Sequence, residues 1–202
     1  MIGSLSRAAA ALLVVVLLAA CGAPHLTPPP PSDIKLDAPD MVAMKTKSKI
    51  EDCPAPQTAK GSGGLPTFTI QCLGGGRAVD LSTLKGPLVI NFWWQGCVPC
   101  QKEMPALAAF YKQYGDQVPI LGVDSTDVYP GVALKKAIKW GVTFPLVGDP
   151  GGDLQGTKLT IKHYPSFFFL SADGTLTGPV EGGLDSVAEV KALVATQLGI
   201  TL

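Results

Sequence analysis

The order strand, tight turn, Cys-x-x-Cys, helix constrains this chain more than any other feature. Leu88-Val89-Ile90-Asn91-Phe92-Trp93 is a short apolar run, and Trp94-Gln95-Gly96 turns it into Cys97-Val98-Pro99-Cys100. Residues 101–114 then read as a helix, with Pro105 inside it removing one backbone hydrogen bond. Two thiols therefore stand at a helix N-terminus, at the carboxyl end of a strand. The unpaired N–H groups and the positive end of the helix dipole favour a thiolate there. Thiol–disulfide exchange requires that form of sulfur.

The chain begins with a stretch that reads as a secretion signal. Arg7 precedes an apolar run over residues 8–20, too short to span a bilayer comfortably. The run ends in Leu18-Ala19-Ala20-Cys21-Gly22, which looks like the lipobox of bacterial lipoproteins. Cys21 is then the lipidated first residue of a protein anchored to the membrane without spanning it. Of the five cysteines this leaves Cys53, Cys72, Cys97 and Cys100, in a compartment that permits disulfides. Spacing favours Cys97 with Cys100, leaving Cys53 with Cys72. That second bridge closes a loop of about 20 residues and contributes roughly 3 kcal/mol in the chain-entropy model. A four-cysteine zinc site would need a second close pair of ligands, which Cys53 and Cys72 do not supply. No metal or cofactor is expected. Formal net charge is zero, so no broad basic surface points to nucleic acid.

Residues 21–64 read as a Pro- and Gly-rich tether, with Lys45, Lys47 and Lys49 solvated. Gly61-Ser62-Gly63-Gly64 marks the boundary to a domain over 65–202. Inside that domain a hairpin is expected over 68–73 and 78–81, a strand over 118–124 and a helix over 132–140. A short extended piece follows at 143–147 and a brief helix at 154–161. The aromatic run Ser166-Phe167-Phe168-Phe169-Leu170 reads as a strand with a return arm over 176–180. Ser186 and Glu189 have capping-box spacing and open a helix to about residue 198. The pattern is an α/β sandwich with a mixed sheet.

A Cys-x-x-Cys alone also suits metal binding or haem. Gln101 stands where haem attachment requires a His. Phe92-Trp93, Cys97-x-Pro99-Cys100, Glu103, Pro105 and Tyr164-Pro165 before the Phe-rich strand together resemble the thioredoxin fold. More narrowly they resemble the TlpA/ResA-like extracytoplasmic thiol–disulfide oxidoreductases. The resemblance covers residues 65–202. It implies a thioredoxin-like α/β fold with a mixed central β-sheet, helices on both faces and an N-terminal hairpin extension.

The same resemblance assigns roles. Cys97 attacks a partner disulfide and Cys100 resolves the mixed disulfide. Pro165 corresponds to the cis-proline facing the dithiol; Tyr164, bulkier than its counterpart in many relatives, is read with Trp94 and Gly96, from their positions in this chain, as the rim where partners bind. His163 adjoins them, as a thiol-tuning or partner-contacting group or an ordinary exposed residue. Asn91 stands where thioredoxins carry a buried Asp, so proton handling shifts to Glu103, one turn beyond Cys100. The alternative for Glu103 is a solvated residue near the helix dipole's positive end. Asp124 is a weaker candidate. Relatives carry Trp directly before the first Cys, whereas this chain has Gly96, a departure that bears on partner choice and redox potential. The implied partners are protein thiols and disulfides and a membrane thiol–disulfide electron-transfer protein, with the chain acting as a monomer. The implied role is reduction of protein disulfides, including those of apocytochrome c. An oxidant of secreted proteins would use the same residues. A peroxidase of the peroxiredoxin type needs Thr where Trp94 stands. A copper-binding or chaperone module would use the two thiolates without exchange.

Overall fold

The computed structural model describes residues 33–55 and 64–202. Its organising strand, β3 (Leu88–Trp93), is buried at all six positions, as an unbroken apolar run requires of a strand covered on both faces. β4 (Ile120–Ser125) runs parallel to it and β5 (Leu146–Asp149) parallel to β4. On the other side β6 (Ser166–Leu170) is antiparallel to β3, and β7 (Leu176–Glu181) closes that edge. β1 (Thr69–Cys72) pairs antiparallel with both β2 (Val79–Asp80) and β5. The sheet order is β2-β1-β5-β4-β3-β6-β7.

The described α-helices are α1 (Pro39–Lys47), α2 (Val98–Tyr114), α3 (Pro130–Lys139) and α4 (Val187–Leu198). The α4 N-terminus is capped by Ser186 Oγ, which accepts from the Glu189 N–H at 3.3 Å. The Glu189 carboxylate reaches back past the cap to the Asp185 N–H, 2.6 Å away. Pro105 remains within α2.

Alternation along the strands divides the core in two. Val89, Trp93, Phe167 and Phe169 join the buried faces of all four α-helices, including Met104, Leu107 and Phe110 of α2. Ile90, Phe92, Leu121, Val123 and Phe168 point the other way, onto Leu81, Leu154, Leu159 and Ile161. Helices thus cover both faces of the mixed sheet, the four described α-helices on one and two 3-10 helices on the other. The crossovers β3–α2–β4 and β4–α3–β5 step across the sheet in the same direction, so with the usual hand their helices share a face. The opposite face is covered by 3-10 turns, Leu81–Thr83 and Asp153–Gly156, and by loops. The helix expected over 154–161 shrinks to the second of these turns. The Asp149 carboxylate holds the Asp153 and Leu154 N–H groups at 2.8 and 3.2 Å, which fixes a turn there.

Residues 33–55 also differ from the tether expected across 21–64. They form a strap that includes α1 and buries Leu36, Met41 and Ile50. Leu36 O accepts from the Gly74 and Gly75 N–H groups at 2.8 and 3.2 Å, and the Glu51 N–H donates to Thr143 O at 2.8 Å. The Leu36 side chain seats on Gly148, where any Cβ would collide with it. Lys45, expected in solvent, is 6% exposed, because Gly75 O and Asp52 receive its ammonium at 2.9 and 3.2 Å. Cys21 and the lipobox lie outside the described residues. Among the described residues no helix is long and apolar enough to cross a membrane.

Candidate functional site

β3 delivers the chain to the dithiol. The Cys97 N–H donates to Trp94 O at 3.2 Å, closing a turn over Gln95 and Gly96. Cys97 is the N-cap of α2, in extended conformation at φ −74° and ψ 108°, with Pro99 in the first turn. Its Sγ accepts from the Cys100 N–H at 3.1 Å, a donor that the helix cannot satisfy internally. Cys97 and Cys100 are joined as a disulfide with Cα atoms 5.2 Å apart. Cys97 is 6% exposed and Cys100 fully buried. The outer sulfur is thus the one receiving the hydrogen bond.

Gly96 and Trp94 form one unit. A Cβ on Gly96 would collide with the Trp94 six-membered ring, so the indole lies over the turn only because residue 96 has no side chain. Trp94 is half-buried and packs against the core, whereas Trp93 is wholly buried, edge-on to Trp140 at 5.9 Å.

Glu103 is fully buried. Its Oε1 accepts from Asn91 Nδ2 at 2.8 Å, which links the α2 position to the β3 position named in the sequence. Removal from water pushes the Glu103 carboxyl up to about 8; the Asn91 amide and the Leu184 backbone pull down, and Asp185 adds a small upward push. The solvated alternative for Glu103 is therefore overturned. Asp124 lies opposite Trp93 in the β3–β4 register and is also buried, and burial followed by the neighbouring Asp127 raises its carboxyl well above the usual range.

Pro165 has a cis peptide bond with Tyr164 and directly precedes β6. Ser166 pairs with Phe92, which sets Pro165 at the dithiol end of the sheet. Tyr164 OH lies 2.9 Å from Thr126 Oγ1 and 3.2 Å from Ser125 O, fastening this loop to the end of β4. His163 points outward, 72% exposed, with Nε2 4.0 Å from Glu181 Oε2. Cys53 and Cys72 are joined by a disulfide with Cα atoms 6.0 Å apart, remote from the dithiol in the sheet.

Sequence reasoning missed the grip on Gln95. Asp127 Oδ2 accepts the Gln95 N–H at 3.0 Å, while Lys136 Nζ and Gln101 Nε2 donate to Gln95 O at 2.8 and 3.2 Å. Asp127 Oδ1 also accepts from the Tyr129 N–H at 2.8 Å, one residue before the Pro130 that opens α3. An Asp two residues ahead of Tyr-Pro is a legible Asx-turn signal. The Gly182-Gly183 loop, which approaches Pro99 through Gly183, was missed as well.

Residues 64–178 match the AhpC/TSA family. The thiol-disulfide oxidoreductase ResA of Bacillus thuringiensis is 33% identical over 122 residues, 58% of this chain and 67% of that protein. The thioredoxin-like protein YneN of Bacillus subtilis is 29% identical over 114 residues, 55% of this chain and 65% of that one. Among solved structures, a secreted Mycobacterium tuberculosis disulfide oxidoreductase homologous to E. coli DsbE aligns with a TM-score of 0.55 at 27% identity. That alignment covers 64% of this chain and 96% of the solved one.

Proposed function

The chain belongs to the AhpC/TSA family and is a thiol–disulfide oxidoreductase of the ResA type, and we propose that Cys97 and Cys100 are its exchanging pair. The observation that carries this reading is the N-cap geometry: the more exposed sulfur, Cys97, accepts a backbone N–H at 3.1 Å. In the reductive direction the Cys97 thiolate bonds to one sulfur of a partner disulfide. The partner's S–S bond breaks and its electron pair leaves on the other sulfur. Cys100 then gives up its proton, attacks Cys97 and expels the partner's remaining thiolate. Two electrons pass to the partner and the pair becomes a disulfide.

Glu103 takes the Cys100 proton in that last step and returns it in the reverse direction. Burial holds its carboxyl near 8, so at neutral pH the ionised minority accepts that proton and exchange should quicken as pH rises toward 8. Trp94, Gly96, Tyr164 and Pro165 form the rim against which a partner chain lies. Cys21 carries the lipid that anchors the protein outside the cytoplasm. The substrates are protein disulfides, including those of apocytochrome c before haem attachment, and a membrane dithiol carrier re-reduces the pair.

The test is insulin reduction by the full-length protein, with the Cys97/Cys100 reduction potential measured against glutathione. Turnover that vanishes in Cys97→Ser and a strongly reducing potential support the reading. A strongly oxidising potential reverses the physiological direction, and undiminished turnover in Cys97→Ser overturns the assignment. Cys100→Ser should hold partners on Cys97 as mixed disulfides and so identify them. Cys21→Ser should release the protein from the membrane fraction.

A further inference from the structure

Lys45 places a nearly buried ammonium against the other disulfide. Its Nζ lies 3.1 Å from Cys72 Sγ, 2.9 Å from Gly75 O and 3.2 Å from Asp52 Oδ1. A disulfide sulfur is neutral and a weak acceptor, so it gives such a charge little in return for desolvation. A Cys72 thiolate would be a strong partner. Cys53 is prepared differently: its Sγ lies 3.3 Å from Leu146 O, a carbonyl placed to accept a thiol S–H. The two sulfurs thus have the partners that suit a reduced pair holding one proton. We infer that Cys53–Cys72 is a second thiol–disulfide exchange centre, opened by a dithiol at Cys53 with Cys72 leaving as a thiolate held by Lys45.

Exposure agrees with that direction of attack. Cys53 is 7% exposed and Cys72 2%. One thiolate of the dithiol bonds to Cys53 Sγ, its proton having gone to solvent. The Cys53–Cys72 bond breaks and its electron pair stays on Cys72. The dithiol's second thiol then attacks its own partner sulfur and expels Cys53, which takes up that thiol's proton. The dithiol ends as a disulfide, oxidised by two electrons. The protein ends with a Cys53 thiol and a Cys72 thiolate.

The strap does not depend on this bridge for its position. Leu36 O keeps the Gly74 and Gly75 N–H groups, Glu51 keeps Thr143 O, and Met41 and Ile50 stay buried. The sulfurs therefore remain opposed when the bond opens, and exchange is reversible. The charged groups bearing on the thiolate are few. Asp52, 89% exposed, competes for the ammonium. Lys35, Asp37, Asp149 and Asp153 line a cleft of about 380 Å³ that Cys72 and Gly75 also border.

The experiment uses the full-length protein in detergent with Cys97→Ser and Cys100→Ser, so that only this pair titrates. Dithiothreitol equilibrium and iodoacetamide labelling across pH are followed by mass spectrometry, with circular dichroism reporting the fold. The expected result is reduction at pH 7 in the folded protein, with Cys72 labelled with a midpoint below the ordinary thiol value of about 8.5. Lys45→Met should lower the reduction equilibrium constant at least tenfold, about 30 mV. Asp52→Asn, a change at an exposed side chain, should shift both quantities the opposite way by a few-fold, and it decides the matter if Lys45→Met does not fold. Reduction that occurs only on unfolding overturns the inference. So do a low midpoint on Cys53 instead of Cys72 and an Asp52→Asn variant within twofold of its parent.

Discussion

Two disulfides lie among the described residues, and each has one sulfur with a nitrogen donor 3.1 Å away. At Cys97–Cys100 the donor is the Cys100 backbone N–H and the favoured sulfur is the more exposed one. At Cys53–Cys72 the donor is the Lys45 ammonium and the favoured sulfur is the more buried one. Stabilising charge on an outer sulfur makes a nucleophile. Stabilising it on an inner sulfur makes a leaving group. The first pair is arranged to attack partners, the second to be attacked.

The sharpest way to break this comparison is to exchange the sulfurs for oxygen. Cys97→Ser should lower insulin reduction by about a thousandfold or more, while the double variant Cys53→Ser/Cys72→Ser stays within about threefold of wild type in the same assay. Similar losses in both would erase the functional distinction. The next largest effect concerns Glu103, whose carboxyl rises from 4.5 to about 8 on folding. The folded state holds a proton there that the unfolded chain releases, so this group costs nothing below pH 4.5 and progressively more up to pH 8. Glu103→Gln should therefore stabilise the oxidised protein by a few kcal/mol at pH 9 and by almost nothing at pH 4, as read by urea unfolding. A pH-independent difference would disprove the buried, protonated Glu103.

Removing the Cys53–Cys72 bridge should cost roughly 3 kcal/mol of unfolding free energy. Opening Cys97–Cys100, which closes a loop of sequence separation 3 against 19, should cost less. A smaller change is expected at the Gln95 grip. Asp127→Ala removes the carboxylate that accepts the part-buried Gln95 and Tyr129 N–H groups and should cost about 2 kcal/mol, with the rate of partner reduction falling about tenfold. Gly96→Ala should displace Trp94 and raise KM for protein substrates more than it lowers kcat, since its Cβ would collide with that rim indole.

Much of the first centre was legible because its parts are contiguous. The apolar run of β3, the N-cap cysteine and the first turn of α2 lie within residues 88–103, and local hydrogen bonding determines their arrangement. The phenylalanine run of β6 and the Ser186 cap were legible for the same reason. Residues 33–55 were not. Their Pro, Lys and small polar residues have the composition of a solvated linker, and contacts with distant residues, the Gly74-Gly75 turn, Thr143 and Gly148 among them, give them buried partners. The grip of Asp127 and Lys136 on Gln95 spans 32 and 41 residues, beyond the reach of any local pattern.

By itself, then, the sequence determined the dithiol at Asn91–Cys100: its strand, its turn, its helix and the sulfur that meets the N-terminal N–H. A helix end carries its dipole and its unpaired donors wherever it is placed. Tertiary structure decided the rest. It made Glu103 a buried acid by closing α2 onto Asn91, and it turned Lys45 from a linker charge into the neighbour of Cys72. Desolvation and the direction of a side-chain charge arise from the groups that surround a residue, and the fold assembles those groups from distant parts of the chain.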